Sequence, residues 1–125
     1  MNTYKNIFAT FVVLSIFFSC EKKDELTEPL ACFTAHTDTI TRNEYVTFYI
    51  CGDAMYNVIF AGDFLSPFHG IDSINGQGYP VVGDSVVVKF IRAGEYQPWL
   101  LSTNANYRGI KRHAVPLDHT IIVVP

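Results

Sequence analysis

The heptapeptide YVTFYIC, residues 45–51, decides the fold class, because its apolar side chains recur at every second position. Val46, Phe48 and Ile50 therefore fall on one face of an extended chain. Strict alternation over this length is typical of a strand with one buried side. We predict a half-buried β-strand here.

Similar short stretches lie on both sides of this strand, and none has the period of an amphipathic helix. The glycines and prolines between residues 61 and 85 predict a long loop, and residues 39–44 predict a polar turn in which Asn43 tolerates a left-handed backbone. The predicted strands are 31–36, 45–51, 55–60, 85–90, 96–103 and 120–124, with a short one near 79–82. Such spacing implies an all-β sandwich of about seven strands.

The first twenty residues have a different composition from the rest. Lys5 is the sole charge before residue 21, and residues 7–18 are almost entirely apolar. A transmembrane helix needs ~20 residues, so this run is short for one. It matches instead the apolar core of an export signal with a basic start.

The junction after this run resembles a bacterial lipoprotein signal. Ser19 is the small residue before Cys20, whose thiol would take the acyl chains, although Phe17 and Phe18 depart from the commonest motif. The resemblance implies a mature protein that begins with a lipidated Cys20. The alternative is a secretory signal followed by an ordinary cysteine.

The charged residues that follow resemble the tag that sends some Gram-negative lipoproteins to the cell exterior, and a simple solvated tether is the alternative. We expect residues 1–19 to be the signal peptide, 20–29 the lipidated cysteine with a flexible charged tether, and 30–125 the folded domain. The expected location is the outer membrane, with its lipid as the first partner and the domain facing outward.

The body of the chain is similar to polycystic kidney disease (PKD) domains, which are immunoglobulin-like sandwiches. The segments that carry the resemblance are ACFTA (31–35), NEYVTF (43–48), YNVIF (56–60), FIRAGEY (90–96) and LLSTN (100–104). Two departures are Val58 in place of the family's tryptophan and Phe60-Ala61-Gly62-Asp63 in place of its Phe-Gly-Asp-Gly turn. The resemblance implies that Tyr96 packs inward and hydrogen-bonds to nearby backbone.

Two further cysteines, Cys32 and Cys51, belong to an exported chain and so to an oxidising environment. If Phe33 pairs with Ile50 on neighbouring strands, Cys32 falls directly opposite Cys51 on the outward face. Cross-strand Cβ atoms at such positions are ~5 Å apart, close to the separation in a disulfide. We predict a disulfide between them; two free thiols are the alternative.

The residues that carry chemistry show no arrangement typical of an enzyme, so no catalytic residue is assigned. None of the four histidines has the spacing of a metal pair, and no nucleophile motif is present. The aspartates in or near turns are either turn formers, which we expect, or ligands of a structural calcium ion. These residues are Asp53, Asp63, Asp72 and Asp84. We therefore expect no metal and no cofactor beyond the lipid.

Charge and apolar patterning together suggest what the domain contacts. The net charge of −3 argues against nucleic acid and against electrostatic docking on anionic lipid. If Tyr96 and Leu100 face the core, Trp99 and Leu101 face away, and Ile59 does so if Tyr56, Val58 and Phe60 face the core.

An outward apolar patch of this kind either contacts a ligand or lies under the 61–85 loop. The candidate surface residues are Ile59, Phe64, Phe68, Tyr79, Trp99 and Leu101. We expect a non-catalytic module that binds a polysaccharide or a surface protein. The alternative is a structural or accessory subunit that docks on a larger outer-membrane assembly.

Overall fold

The structure is a computed structural model that describes residues 26–71 and 77–125, so the predicted signal peptide, Cys20 and Asp72 lie outside it. The described part is all-β and contains no α-helix. No helix in these two ranges is long and apolar enough to cross a membrane. The strands are β1 (Phe33–Ala35), β2 (Thr39–Thr41), β3 (Tyr45–Ile50), β4 (Tyr56–Phe60), β5 (Tyr79–Pro80), β6 (Ser85–Lys89), β7 (Gly94–Tyr96), β8 (Trp99–Asn106), β9 (Gly109–Pro116) and β10 (Ile121–Val124).

The strands form two layers. One layer is the sheet β1-β3-β6, and the other combines the sheets β5-β4-β8-β9 and β2-β10-β7. These two sheets are successive parts of one layer, because only Gln97 and Pro98 separate β7 from β8, and 117–120 separate β9 from β10. The Leu117 amide donates to the Pro98 carbonyl at 2.9 Å and bridges the break.

The N-terminal strands join the two layers. β1 pairs antiparallel with β3, whereas β2 pairs parallel with the last strand, β10. The predicted immunoglobulin-like β-sandwich is therefore confirmed, with ten strands among the described residues in place of about seven. The predicted turn at 39–44 contains strand β2, and Asn43 has the expected left-handed backbone (φ 73°).

The core lies between the layers and begins with the strand that decided the fold class. Val46 and Phe48 of β3 are fully buried, as are Ile59 of β4 and Leu100 of β8 across the sandwich. Burial of one such side chain stabilises the fold by ~1.5–3 kcal/mol. The other core residues are Phe33, Ile40, Ala61, Val88, Phe90, Leu117, Ile121 and Val123.

Tyr96 links the start of its strand to the preceding turn. Its ring packs against the core and lies 5.5 Å from the Phe90 ring, centroid to centroid. Its hydroxyl donates to the Arg92 carbonyl at 2.8 Å. The inward tyrosine with a backbone partner is thus present as expected.

The Cys32–Cys51 disulfide is present, which confirms that prediction. Phe33 lies opposite Ile50, so the two cysteines sit side by side at the end of the β1–β3 ladder, with Cα atoms 5.0 Å apart. The Cys51 amide also donates to the Cys32 carbonyl at 3.0 Å, so backbone pairing and the covalent bond reinforce the same register.

We predict that the double variant Cys32→Ala/Cys51→Ala folds but loses ~3 kcal/mol of unfolding free energy, because its unfolded chain is less restricted. Urea unfolding of the oxidised protein, the reduced protein and the variant measures this. The reduced protein should match the variant. Equal midpoints for all three would contradict the prediction.

Candidate functional site

The outer face of the four-stranded sheet is set by the pairing of β4 with β8. Ile59 lies opposite Leu100, and both are fully buried in the core. Residues directly opposite each other share one face of a sheet. The expected outward position of Ile59 is therefore wrong, because Leu100 holds it on the core side.

The side chains of Val58 and Phe60 point away from the core, on the face opposite to Ile59. Phe60 lies opposite Trp99 and Val58 opposite Leu101, so these four residues share the outer face. Trp99 and Leu101 thus face outward as predicted, but with Phe60 and Val58 as neighbours rather than Ile59. The error has a simple cause, since residues 58–60 are all apolar and the alternation there does not distinguish the two faces.

The loop that follows β4 covers one half of this face. Phe68 stacks on Trp99 with ring centroids 4.8 Å apart and an interplanar angle of 23°, and it also meets Phe60 at 5.3 Å. Leu101 is only 6% exposed. The apolar patch was expected either to contact a ligand or to lie under the 61–85 loop. In the structure, Phe68 of this loop covers it. We call this the closed half, defined by Phe60, Phe68, Trp99 and Leu101.

A buried hydrogen-bond network shapes this loop. One carboxylate oxygen of Asp63, Oδ1, accepts from the Ser66 amide at 2.9 Å and from the Ser66 hydroxyl at 3.0 Å. The Ser66 hydroxyl oxygen in turn accepts from the Ala61 amide at 3.0 Å. Asp63 thus acts as a turn former, which is the role expected of it.

Tyr79 packs against the core beneath the loop and is not part of an open surface. It lies opposite Ile59 and packs against the core. Burial raises the pKa of its hydroxyl, and the charge of Asp63 raises it further, while a hydrogen bond with Ser66 lowers it. Tyr79 therefore stays protonated at neutral pH and keeps a neutral hydroxyl beside the Asp63 carboxylate.

Phe64, the remaining candidate in the loop, is about half exposed. The Arg92 guanidinium lies 4.0 Å from its ring centroid, so one face of the ring is in contact with a cation. Of the predicted surface residues, the structure brings Phe68, Trp99 and Leu101 together, places Phe64 beside Arg92, and turns Ile59 and Tyr79 toward the core.

The other half of the outer face is open. Tyr56 of β4, Thr103 of β8 and Arg112 of β9 lie in one cross-strand row on this face. Tyr56 is 60% exposed. Ile110 of β9 faces the same way and is also exposed. We call this surface the open half, defined by Tyr56, Thr103, Ile110 and Arg112.

Sequence reasoning missed the open half for two reasons. It assigned Tyr56 to the core, and it did not predict β9, whose residues 109–113 are all exposed and lack a buried face. One signal was available: Trp99 was expected to face outward, and cross-strand pairing with Phe60 would have placed Tyr56 outward too.

The residues that precede β1 pack against the end of the sandwich next to the open half. The Asn104 side chain accepts from the Met55 amide at 2.9 Å and donates to the Thr27 carbonyl at 3.0 Å. Pro29 is buried. The last residues of the predicted tether therefore rest on the domain. Within 26–71 and 77–125, no three His, Cys, Asp or Glu side chains are grouped as a metal site would need.

Comparison with known proteins supports the fold. No family model and no curated protein matches the chain. It is similar to a solved structure of carbohydrate-binding modules from the β-sandwich superfamily, determined to explain their promiscuous specificity, with 22% identity and a TM-score of 0.58. The match covers 80% of this chain and 36% of that one, so this chain spans about a third of its neighbour's length.

We predict that Phe68→Ala exposes Trp99, because Phe68 is the ring stacked on it. Trp99 is the only tryptophan in the chain, so its fluorescence reports on this site alone. Acrylamide should quench the variant more strongly than the unaltered protein, and the unfolding free energy should fall by ~1 kcal/mol or more from the lost ring contacts.

Phe64→Ala is the matched control, since Phe64 lies in the same loop but packs on Arg92. It should leave the quenching of Trp99 unchanged. Equal quenching of the unaltered protein and the Phe68→Ala variant would show that the loop does not cover Trp99.

Proposed function

We propose that this chain is a non-catalytic binding module that holds a polysaccharide on the open half. The observation that carries the proposal is the exposed ring of Tyr56 at the end of the row formed with Thr103 and Arg112. An exposed aromatic ring offers an apolar face against which the C–H groups of a sugar can stack, while its hydroxyl stays in water.

The neighbours of Tyr56 supply the polar part of such a site. The Thr103 hydroxyl both donates and accepts hydrogen bonds, and the Arg112 guanidinium presents several donors in a fixed plane. Sugar hydroxyls need both kinds of partner. The open half also extends across three neighbouring strands, which suits an extended chain. Likeness of fold to a structure of carbohydrate-binding modules supports the same class of ligand.

The closed half does not have a free aromatic face for a sugar ring. Phe68 already occupies the face of Trp99 on which a sugar ring would stack. A ligand there would first have to displace a loop that is held by the buried Asp63–Ser66 network. The loss of these contacts would offset much of what the sugar gains.

We further propose that Cys20 carries the lipid anchor and that the domain is displayed at the outer membrane. The proposal rests on the resemblance of the first twenty residues to a lipoprotein signal. Thr27 is held on the domain by Asn104, and the seven residues from there to Cys20 reach at most ~25 Å. A lipid on Cys20 would therefore keep the sandwich within that distance of the bilayer.

A second candidate function is docking on a larger outer-membrane assembly. It is favoured by the outer face of the β1-β3-β6 sheet, where Tyr45, Tyr49 and Val87 are all about half exposed. Two tyrosine rings and a valine exposed on one sheet face form a surface that a protein partner could cover.

The test is binding of the full-length protein, in mild detergent, to an array of polysaccharides. Tyr56→Ala should weaken binding about tenfold or more, since one stacked aromatic side chain is worth ~1.5–3 kcal/mol. Tyr49→Ala is the matched control, because Tyr49 is an exposed tyrosine on the opposite sheet.

If Tyr49→Ala lost binding while Tyr56→Ala still bound as tightly as the unaltered protein, the proposed site would be contradicted. A failure of the unaltered protein to bind any polysaccharide, together with co-purification of a defined membrane partner that Tyr49→Ala releases, would establish the docking function instead. Both variants alter exposed side chains, so each should keep the unfolding midpoint of the unaltered protein.

A further inference from the structure

The four-stranded sheet has an unusual charge pattern. Its strands β4, β5, β8 and β9 contain no aspartate or glutamate, although the chain has 12 acidic residues and a net charge of −3. The charged side chains on these strands are Lys111 and Arg112, and Arg108 adds a third cation in the β8–β9 turn. A locally basic sheet therefore stands in an acidic protein.

These cations differ in how they are used. Arg108 contacts Tyr107, whose hydroxyl accepts from the arginine Nε at 3.1 Å. Lys111 and Arg112 have no carboxylate within ion-pair distance in the part of the chain that the structure describes. Arg112 lies on the open half, whereas Lys111, one residue before it, points to the opposite side of the strand.

A cation on a sheet whose strands contain no acidic residue attracts anions more strongly than a cation among residues of both signs. Exposed charges interact over a Debye length of ~8 Å at physiological ionic strength. The four strands themselves carry no acidic side chain that would offset the charge of Arg112. The guanidinium also matches the geometry of a carboxylate or a sulfate, to which it can donate two parallel hydrogen bonds.

We infer that the polysaccharide held on the open half is anionic and carries carboxylate or sulfate groups. In this arrangement Tyr56 stacks on a sugar ring while Arg112, across Thr103, binds the acidic substituent of the same chain. Lys111 and Arg108 at the edge add to the attraction without contacting the ring. The inference rests on the proposed function, because it names the ligand class of that same surface.

The experiment compares ligands that share a backbone and differ in charge. Polygalacturonate and its fully methyl-esterified form test carboxylates, and dextran sulfate and dextran test sulfates, each with the full-length protein in mild detergent. The charged member of at least one pair should bind about tenfold more tightly or better, as expected for a charged hydrogen bond at Arg112. Added salt should weaken this binding.

Arg112→Gln should remove the preference for the charged member. Lys89→Gln is the matched control, because Lys89 lies on the opposite sheet, with its ammonium 5.8 Å from the Tyr45 ring centroid, and should leave the preference intact. Glutamine keeps an N–H donor but loses both the charge and the paired donors of the guanidinium, which are the features that recognise the acidic group.

The outcomes separate this inference from the proposed function. Equal binding of both members of each pair, or binding of neutral polysaccharides alone, would contradict the inference that the ligand is anionic. The proposal that the chain binds a polysaccharide would be unaffected. Binding of poly-L-glutamate as tight as that of polygalacturonate, unaffected by Tyr56→Ala, would mean unspecific attraction and would also overturn it. Absence of binding to every polysaccharide would count against the proposed function itself.

Discussion

The register between β4 and β8 is the constraint on which the rest of the molecule depends. Ile59 opposite Leu100 fixes one face of the sheet in the core, and the same pairing fixes Tyr56, Phe60 and Trp99 on the outer face. A shift of one residue would exchange every side chain between the two faces. The packed core, the covered patch and the exposed tyrosine are all consequences of this single alignment.

This alignment leaves a large apolar area on the outer face of the sheet. The loop after β4 covers half of that area and shields it from water. Phe68 stacks on Trp99 because the Asp63–Ser66 turn brings the chain back across the sheet. No contact between the described part of the loop and Tyr56 or Arg112 is seen, and both side chains remain exposed to a ligand. One surface thus combines a half that stabilises the fold with a half that is available for binding.

The sequence predicted most where its alternation is unambiguous. Strand 45–51 has apolar side chains on one face only, so β3, its pairing with β1 and the Cys32–Cys51 disulfide were all predicted correctly. Prediction failed at 58–60, where three consecutive apolar residues fit either orientation. It also missed β9, whose exposed first residues give no periodic signal. The open half combines these two strands with β8 and therefore came only from the structure.

The orientation of β4 is tested most directly by the unfolding free energies of Ile59→Ala and Tyr56→Ala, measured side by side in urea. Ile59 is fully buried, so its truncation should cost ~2–5 kcal/mol. Tyr56 is exposed on the outer face, so its truncation should change the unfolding free energy by about 0.5 kcal/mol or less. A large loss for Tyr56→Ala with little change for Ile59→Ala would reverse the two faces and contradict both the core and the binding surface described above.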